Sequence, residues 1–367
     1  MPILLSIFYF FYFSIIGVYI IFMPKVLTMV GYSASEVGII FAAGPLVRFV
    51  LPFAFTKGLK LDRNSFNIAL VILLLSSISF YFSIDEFYML LLSSIAFGIG
   101  LSLILPYIEV VSLECVGKER YGKIRLFGSL GFILVALVLV KFLSSPQVAL
   151  TYLFALSSAT SIVAFFIVKT TEVHASKNKD IKNDISLLKD WKLWLGLTLM
   201  QVSFGAFYNF FTIYETDRGI SLDMTIYLWS FGVVVEVFML FFQGRFLQKN
   251  LLLILQITTF ASAIRWFLIF MFAQNLAVMF FAQSLHALSF ALFHSASISY
   301  LFHLYKHRSL AQQFFSGITY GFGGFVGALF AGYVYELYPE YLFLSATFIA
   351  LMACGSIHSF AKTSNNR

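Results

Sequence analysis

Charge is the first thing this chain is short of. Only 11% of its 367 residues are Asp, Glu, Lys or Arg, while 60% are hydrophobic; an ordinary soluble domain carries about a quarter charged residues. A soluble fold of this length needs far more polar surface, so that class is excluded. Cysteine is almost missing. Cys115 and Cys354 are the only two, too few for a disulfide framework or a thiolate metal cluster, and both are expected as packing residues. There is no Cys-x-x-Cys and no glycine-rich phosphate loop beside a lysine, which argues against a membrane-embedded enzyme.

What is present is apolar sequence in long runs. Stretches of eighteen or more residues recur, each long enough to cross a hydrocarbon core about 30 Å thick as a helix. Twelve spans are expected, at 3–24, 36–56, 66–84, 88–114, 124–144, 148–169, 191–214, 224–244, 251–272, 275–303, 309–334 and 340–361. The first, "ILLSIFYFFYFSIIGVYIIFM", has no basic flank or small-residue cleavage site and is read as a span, not a leader. The fold class is therefore an all-α membrane protein. Between spans six and seven runs a polar segment, "KTTEVHASKNKDIKNDISLLKDWK" (169–192). It divides the chain into an N-terminal six-helix half (1–168), a solvated linker (169–192) and a C-terminal six-helix half (193–367).

Basic residues fix the expected orientation, because loops rich in Lys and Arg stay on the cytoplasmic side. Eighteen of the 24 lie in the loops after even-numbered spans, in the linker or at the C-terminus. Lys25, Lys141 and Arg218 fall on the opposite side, and Arg48, Arg125 and Arg265 inside spans. Both termini are placed in the cytoplasm and the protein in a cell inner membrane. This bias also accounts for the net charge of +7 without a nucleic-acid partner. The halves look like copies: an offset of 188 pairs Gly31 with Gly219, Ser33 with Ser221, Gly44 with Gly232 and Gly17 with Gly205. Two parallel six-helix halves are a transporter layout.

Ionisable residues within apolar spans are expensive, at least about 2.5–3.5 kcal/mol at the bilayer centre, and by default mark functional interiors. Here they are Arg48, Glu109, Arg125, Glu236, Arg265, His286 and His294. Arg48, in the second span and able to reach a helix end, is the weakest of them. His286 and His294, in "SLHALSFALFH" (284–294), sit eight residues apart. On an α-helix that is an advance of about 12 Å and a turn of about 80° beyond whole turns, so they line a site at different depths.

Four stretches, "YGKIRLFGSLGFI" (121–133), "YLWSFGVVVEV" (227–237), "SAIRWFLIF" (262–270) and "SLHALSFALFHSASISYL" (284–301), resemble the phenylpropionate permease branch of the major facilitator superfamily, related to the lactose permease group. The resemblance implies a proton-coupled symporter with twelve helices in two pseudo-symmetric halves, working by alternating access. It implies substrate-binding roles for Glu109, Arg125 and Phe132. It also implies a coupling trio of Glu236, Arg265 and His286, with the proton as coupling ion and no other cofactor. Tyr208 and Trp229 are expected against an apolar ring of the solute, and His294 in its binding or selection. Two departures stand out. Ser289 occupies the position of the lactose permease's proton-carrying glutamate, and Gln283 that of a lysine, which moves the expected proton carrier to Glu236. The cytoplasmic signature survives only in part, as "GLKLDR" (58–63).

The expected function is proton-driven uptake of a small organic solute, an aromatic carboxylic acid leading, by a protein acting as a monomer. Sugar or nucleoside symport, drug export, and a channel are the rivals. The 46 phenylalanines do not decide among them, since in lipid they are mostly packing and lipid-facing bulk.

Overall fold

A computed structural model describes residues 1–169 and 185–365. Most of the expected linker, residues 170–184, lies outside the described residues. The described chain is helical throughout, without a strand. The helices are α1 Pro2–Val30, α2 Ala34–Phe55, α3 Arg63–Ser83, α4 Phe87–Gly117, α5 Arg120–Phe142, α6 Pro146–Lys169, α7 Trp191–Asp217, α8 Leu222–Phe242, α9 Leu251–Phe272, α10 Leu276–Leu304, α11 Leu310–Leu337 and α12 Pro339–Thr363. Eleven of these are both long and apolar enough to span a membrane. The remaining one, α7, has 27 residues, about 40 Å of helix, but carries more polar side chains. Those side chains have work to do inside the bundle. Ser203 accepts from the Trp266 indole, Thr212 accepts from the Trp229 indole, and Asn209 bonds back to the Gly205 carbonyl. Polar groups that join helices tolerate the apolar interior.

Helix starts are set by short polar caps. Ser33 and Glu36 form a reciprocal capping box on α2, and Asp62, Ser221, Asn250 and Asn275 cap α3, α8, α9 and α10; each satisfies an amide of the first turn that has no partner within the helix. The Ser65 amide bonded to Asp62 holds that carboxyl below its ordinary range. Between α4 and α5, Gly117 leaves helical geometry at φ 72°, a backbone conformation that side chains with a Cβ rarely adopt.

Two compact units divide the chain, Met1–Lys177 and Asn178–Arg367. Within each, the same kind of glycine contact ties the first helix to the fifth. In the first unit, Gly131 of α5 packs on the Phe10 carbonyl and Gly17 of α1 on Val135 and Phe132. In the second, Gly205 of α7 packs on the backbone of Gly327 of α11, so the glycine-rich stretch of α11 serves close helix approach. The loops repeat as well: Gly31 (φ 112°) and Gly219 (φ 88°) end the first helix of each unit in a left-handed turn, and Ser33 and Ser221 cap the next. Cys354 is half-buried, but Cys115 is exposed at the end of α4, where the helix leaves the packed interior, so the packing role expected of it is wrong.

Candidate functional site

In the first unit the chemistry gathers along the line where α1 meets α4 and α5. Tyr9 and Phe13 stand one turn apart on α1. Over them lies the Arg125 guanidinium, its central carbon 3.8 Å from the Phe13 ring centroid and 5.5 Å from that of Tyr9. Gly128, one turn after Arg125, is what leaves room for the Phe13 ring. Glu109 of α4 accepts a 3.2 Å hydrogen bond from the Tyr121 hydroxyl and lies close enough to Arg125 to act on it electrostatically. The Tyr9 hydroxyl is 3.1 Å from Ser112 Oγ. Phe132, seven residues after Arg125 and so on nearly the same helix face, packs against Gly17. Arg48 of α2 is exposed, but its charge acts on Tyr12 of α1 together with those of Glu109 and Arg125.

The second unit holds a tighter constellation, in which Arg265 of α9 is fully buried. It donates to Gln283 Oε1 at 2.7 Å and to Ser289 Oγ at 3.3 Å, and one of its terminal nitrogens lies 2.8 Å from His286 Nδ1. His286 Nε2 is 3.3 Å from Glu236 Oε2 of α8, with the histidine side chain 6% and the glutamate 17% exposed. An arginine only donates, so His286 Nδ1 must accept, and the ring proton sits on Nε2 facing the carboxylate. Arg265, His286 and Glu236 thus form a directed chain, in which His286 accepts from the arginine and presents its Nε2 to the carboxyl group. The two residues that depart from the lactose permease pattern, Gln283 and Ser289, are the other acceptors of the arginine.

Aromatic rings enclose that chain. The Arg265 guanidinium lies 4.2 Å from the Phe207 centroid and 4.6 Å from that of Trp266. Trp229 is buried and tilted on Phe207 at 4.2 Å, while Tyr208 is half-buried and faces both Trp229 and Phe290 at 6.4 Å.

His294 joins this chain through Phe290, since residues four apart are neighbours on a helix surface. Residues Ala287–Leu292 of α10, Phe290 among them, form a π-helical stretch. His286 stacks on Phe290 at 5.2 Å with the rings 1° from parallel, and Phe290 on His294 at 6.3 Å. His294 Nδ1 then lies 2.7 Å from the Tyr320 hydroxyl of α11, itself within a second π-helical stretch, Phe315–Phe322. Such stretches often mark functional positions.

Sequence reasoning passed over the platform under Arg125, because Tyr9 and Phe13 are two aromatics among many, and it passed over Tyr121. It also missed Glu215 of α7, a carboxylate masked by the charged helix end "YETDR", and Asp190, buried at the start of α7, which accepts from Tyr305 at 2.9 Å. His303 in the last turn of α10 and His307 in the loop after it lie four apart, but among the described residues no three His, Cys, Asp or Glu group as a metal site.

The model of the family described as "MFS_1 like family" matches residues 3–359. The chain is 23% identical over 358 residues to the "Probable 3-phenylpropionic acid transporter" of Escherichia coli (strain K12), covering 94% of each. It is 24% identical over 347 residues to the "Quinolone resistance protein NorA" of Staphylococcus aureus (strain COL), covering 89% of this chain and 87% of that protein. Among solved structures it is similar to the nucleoside transporter NupG, with a TM-score of 0.79 at 16% identity over 98% of this chain and 99% of that one. A bacterial homolog of the human lysosomal transporter Spinster gives a TM-score of 0.73 at 12% identity over 99% of this chain and 96% of that one. At such identities the structures speak for the fold alone.

Proposed function

Since the chain belongs to the MFS_1-like family of membrane transporters, we propose that it is a secondary active transporter that takes up a small organic solute together with protons, by alternating access in a cell inner membrane. Its leading substrate class is an aromatic carboxylic acid. The observation that carries the reading is the Glu236, His286, Arg265 chain. Because Arg265 occupies His286 Nδ1 as a donor, the imidazole cannot take up a second proton there without losing the arginine. The group left to gain and lose a proton is Glu236. A proton arriving on Glu236 removes the charge that holds His286 Nε2–H, and a charge-assisted bond is roughly twice as strong as a neutral one. Protonation therefore loosens His286, and through it Arg265 and the rings stacked on both. A half-buried carboxylate within an apolar span, tied to a histidine and an arginine, is the kind of group that marks a proton pathway.

Substrate binding falls to Arg125, Glu109 and Phe132 in the first unit, with Tyr208, Trp229 and His294 in the second. Arg125 presents a planar, permanently charged donor fork suited to a carboxylate, and Phe13 and Tyr9 hold its plane. The likeness to a phenylpropionic acid transporter supports an aromatic acid, and the likeness to NorA supports export of an aromatic compound as the second reading. No cofactor beyond the coupling proton is invoked, nucleic acid is not a partner, the lipid bilayer is the environment, a monomer is the working unit, and both termini are cytoplasmic.

Purified protein is screened by thermal shift against aromatic acids, sugars and nucleosides, since a ligand that binds the folded state stabilises it. A stabilising ligand is then tested in proteoliposomes with an imposed proton gradient. Accumulation that follows an inward gradient supports uptake, and accumulation only when the lumen is acidic supports export into the medium by inverted molecules. Flux without saturable exchange of labelled solute indicates a channel and removes the proposal.

A further inference from the structure

One carboxylate in the second unit lies outside the relay. Glu215, in the last turn of α7, is fully buried, and among the described residues neither side-chain oxygen has a hydrogen-bond partner. An ionised carboxylate left in that condition is among the least stable arrangements in protein interiors. Almost every buried polar atom finds a partner, and one that does not calls for a physical reason.

The surroundings show where a counter-charge is and why it is engaged elsewhere. Arg218, three residues on and one turn along, is the charged group that acts on Glu215. Its guanidinium lies 3.4 Å from the Tyr214 ring centroid, and its terminal nitrogens donate to the carbonyls of Tyr214 at 3.3 Å and of Pro339, at the start of α12, at 3.4 Å. The acid beside it, Asp217, accepts from the Tyr335 hydroxyl of α11 at 2.8 Å. The titratable neighbours are thus Arg218, Tyr214, Asp217 and Tyr335. Arg218 is engaged with backbone carbonyls, Tyr335 with Asp217, and among the described residues no donor reaches Glu215.

We propose that Glu215 is a second proton-binding site of this unit, separate from Glu236, occupied in the conformation described here. Arg218 is the counter-charge that takes up the carboxylate when the proton leaves. In the occupied form Arg218 fastens the end of α7 to the start of α12 through Pro339. In the emptied form the same guanidinium turns to Glu215 and that fastening is released.

Infrared spectra of the purified full-length protein in lipid vesicles test this directly, through the carbonyl stretch of a protonated carboxylic acid. At neutral pH the wild type and Glu236→Gln should show a band that Glu215→Gln lacks. An identical band in wild type and Glu215→Gln overturns the assignment. Glutamine is the neutral isostere of the occupied form, so a Glu215→Gln protein that fails to assemble also counts against it. In the wild type the band should fade as the pH is raised. In Arg218→Gln it should persist to a more alkaline pH, because the emptied form has lost its cation; fading at the same pH removes Arg218 from the site. The spectra need neither a solute nor a gradient, so a failed transport assay leaves them fully readable.

Discussion

His286 Nδ1 lies 2.8 Å from a terminal nitrogen of Arg265, and that contact fixes the imidazole as acceptor on one side and donor on the other. On the other side, Nε2 lies 3.3 Å from Glu236 Oε2, and the proposal that Glu236 carries the coupling proton rests on that arrangement.

Glu236→Gln should abolish uphill uptake while leaving exchange of labelled solute across proteoliposomes within a few-fold of wild type. Uphill uptake that survives in this variant moves the coupling proton elsewhere.

Arg265→Lys should be poorly tolerated although charge is kept. A lysine has no planar fork with which to serve Gln283, Ser289 and His286 together, and hydrogen bonds to charged groups contribute about 1.5–3 kcal/mol each. The expected outcome is a lowered thermal midpoint in detergent together with loss of coupled uptake.

Phe13→Leu should weaken substrate binding by about two- to tenfold while sparing assembly, because a half-buried cation over an aromatic ring gains about 0.5–1.4 kcal/mol. Equilibrium binding of the solute identified by thermal shift checks this. Arg125→Lys should lose more, since it removes the fork itself; intact transport in Arg125→Lys would take Arg125 out of the substrate site.

Gly205→Ala should destabilise the second unit by about 1–3 kcal/mol, the range of overpacking in a tight interior, because its new methyl would collide with the backbone of Gly327. Gly44→Ala, where nothing lies within 4 Å of the added carbon, should leave the thermal midpoint unchanged. Equal effects of the two would contradict the close α7–α11 crossing.

His294→Asn should alter which solutes bind, as it removes the ring stacked on Phe290 while keeping a group able to meet Tyr320. Binding affinities across a panel of acids and nucleosides read this out, and a wild-type profile would return His294 to a packing role.

The helices were legible in the sequence because a spanning segment must satisfy its own backbone in lipid, which forces long apolar runs with polar punctuation. The cap residues Ser33, Ser221, Asn250 and Asn275 are that punctuation, and the repeat between Gly31 and Gly219 could be read from it. The grouping of Arg265 with His286 and Glu236 was foreshadowed by resemblance and by the rarity of charge in such spans. The partners of these residues were not legible. Gln283 and Ser289 register in the sequence as substitutions, and only the three-dimensional arrangement reveals them as acceptors for one guanidinium. Tyr9 and Phe13 were hidden by the abundance of aromatics. Glu215 was hidden by its charged neighbours, since a sequence pattern marks a helix end without saying which side chain turns inward.

The π-helical stretch of α10 holds one residue more than the same rise of ordinary helix. Returning it to α-helical pitch would screw everything beyond Leu292 around by about 100°, the angle of a single residue, relative to everything before Ala287. The Phe290 stack and the His294–Tyr320 contact would then part in one movement. That one extra residue is therefore what keeps the His286–Phe290–His294 stack and the Tyr320 contact in a common register.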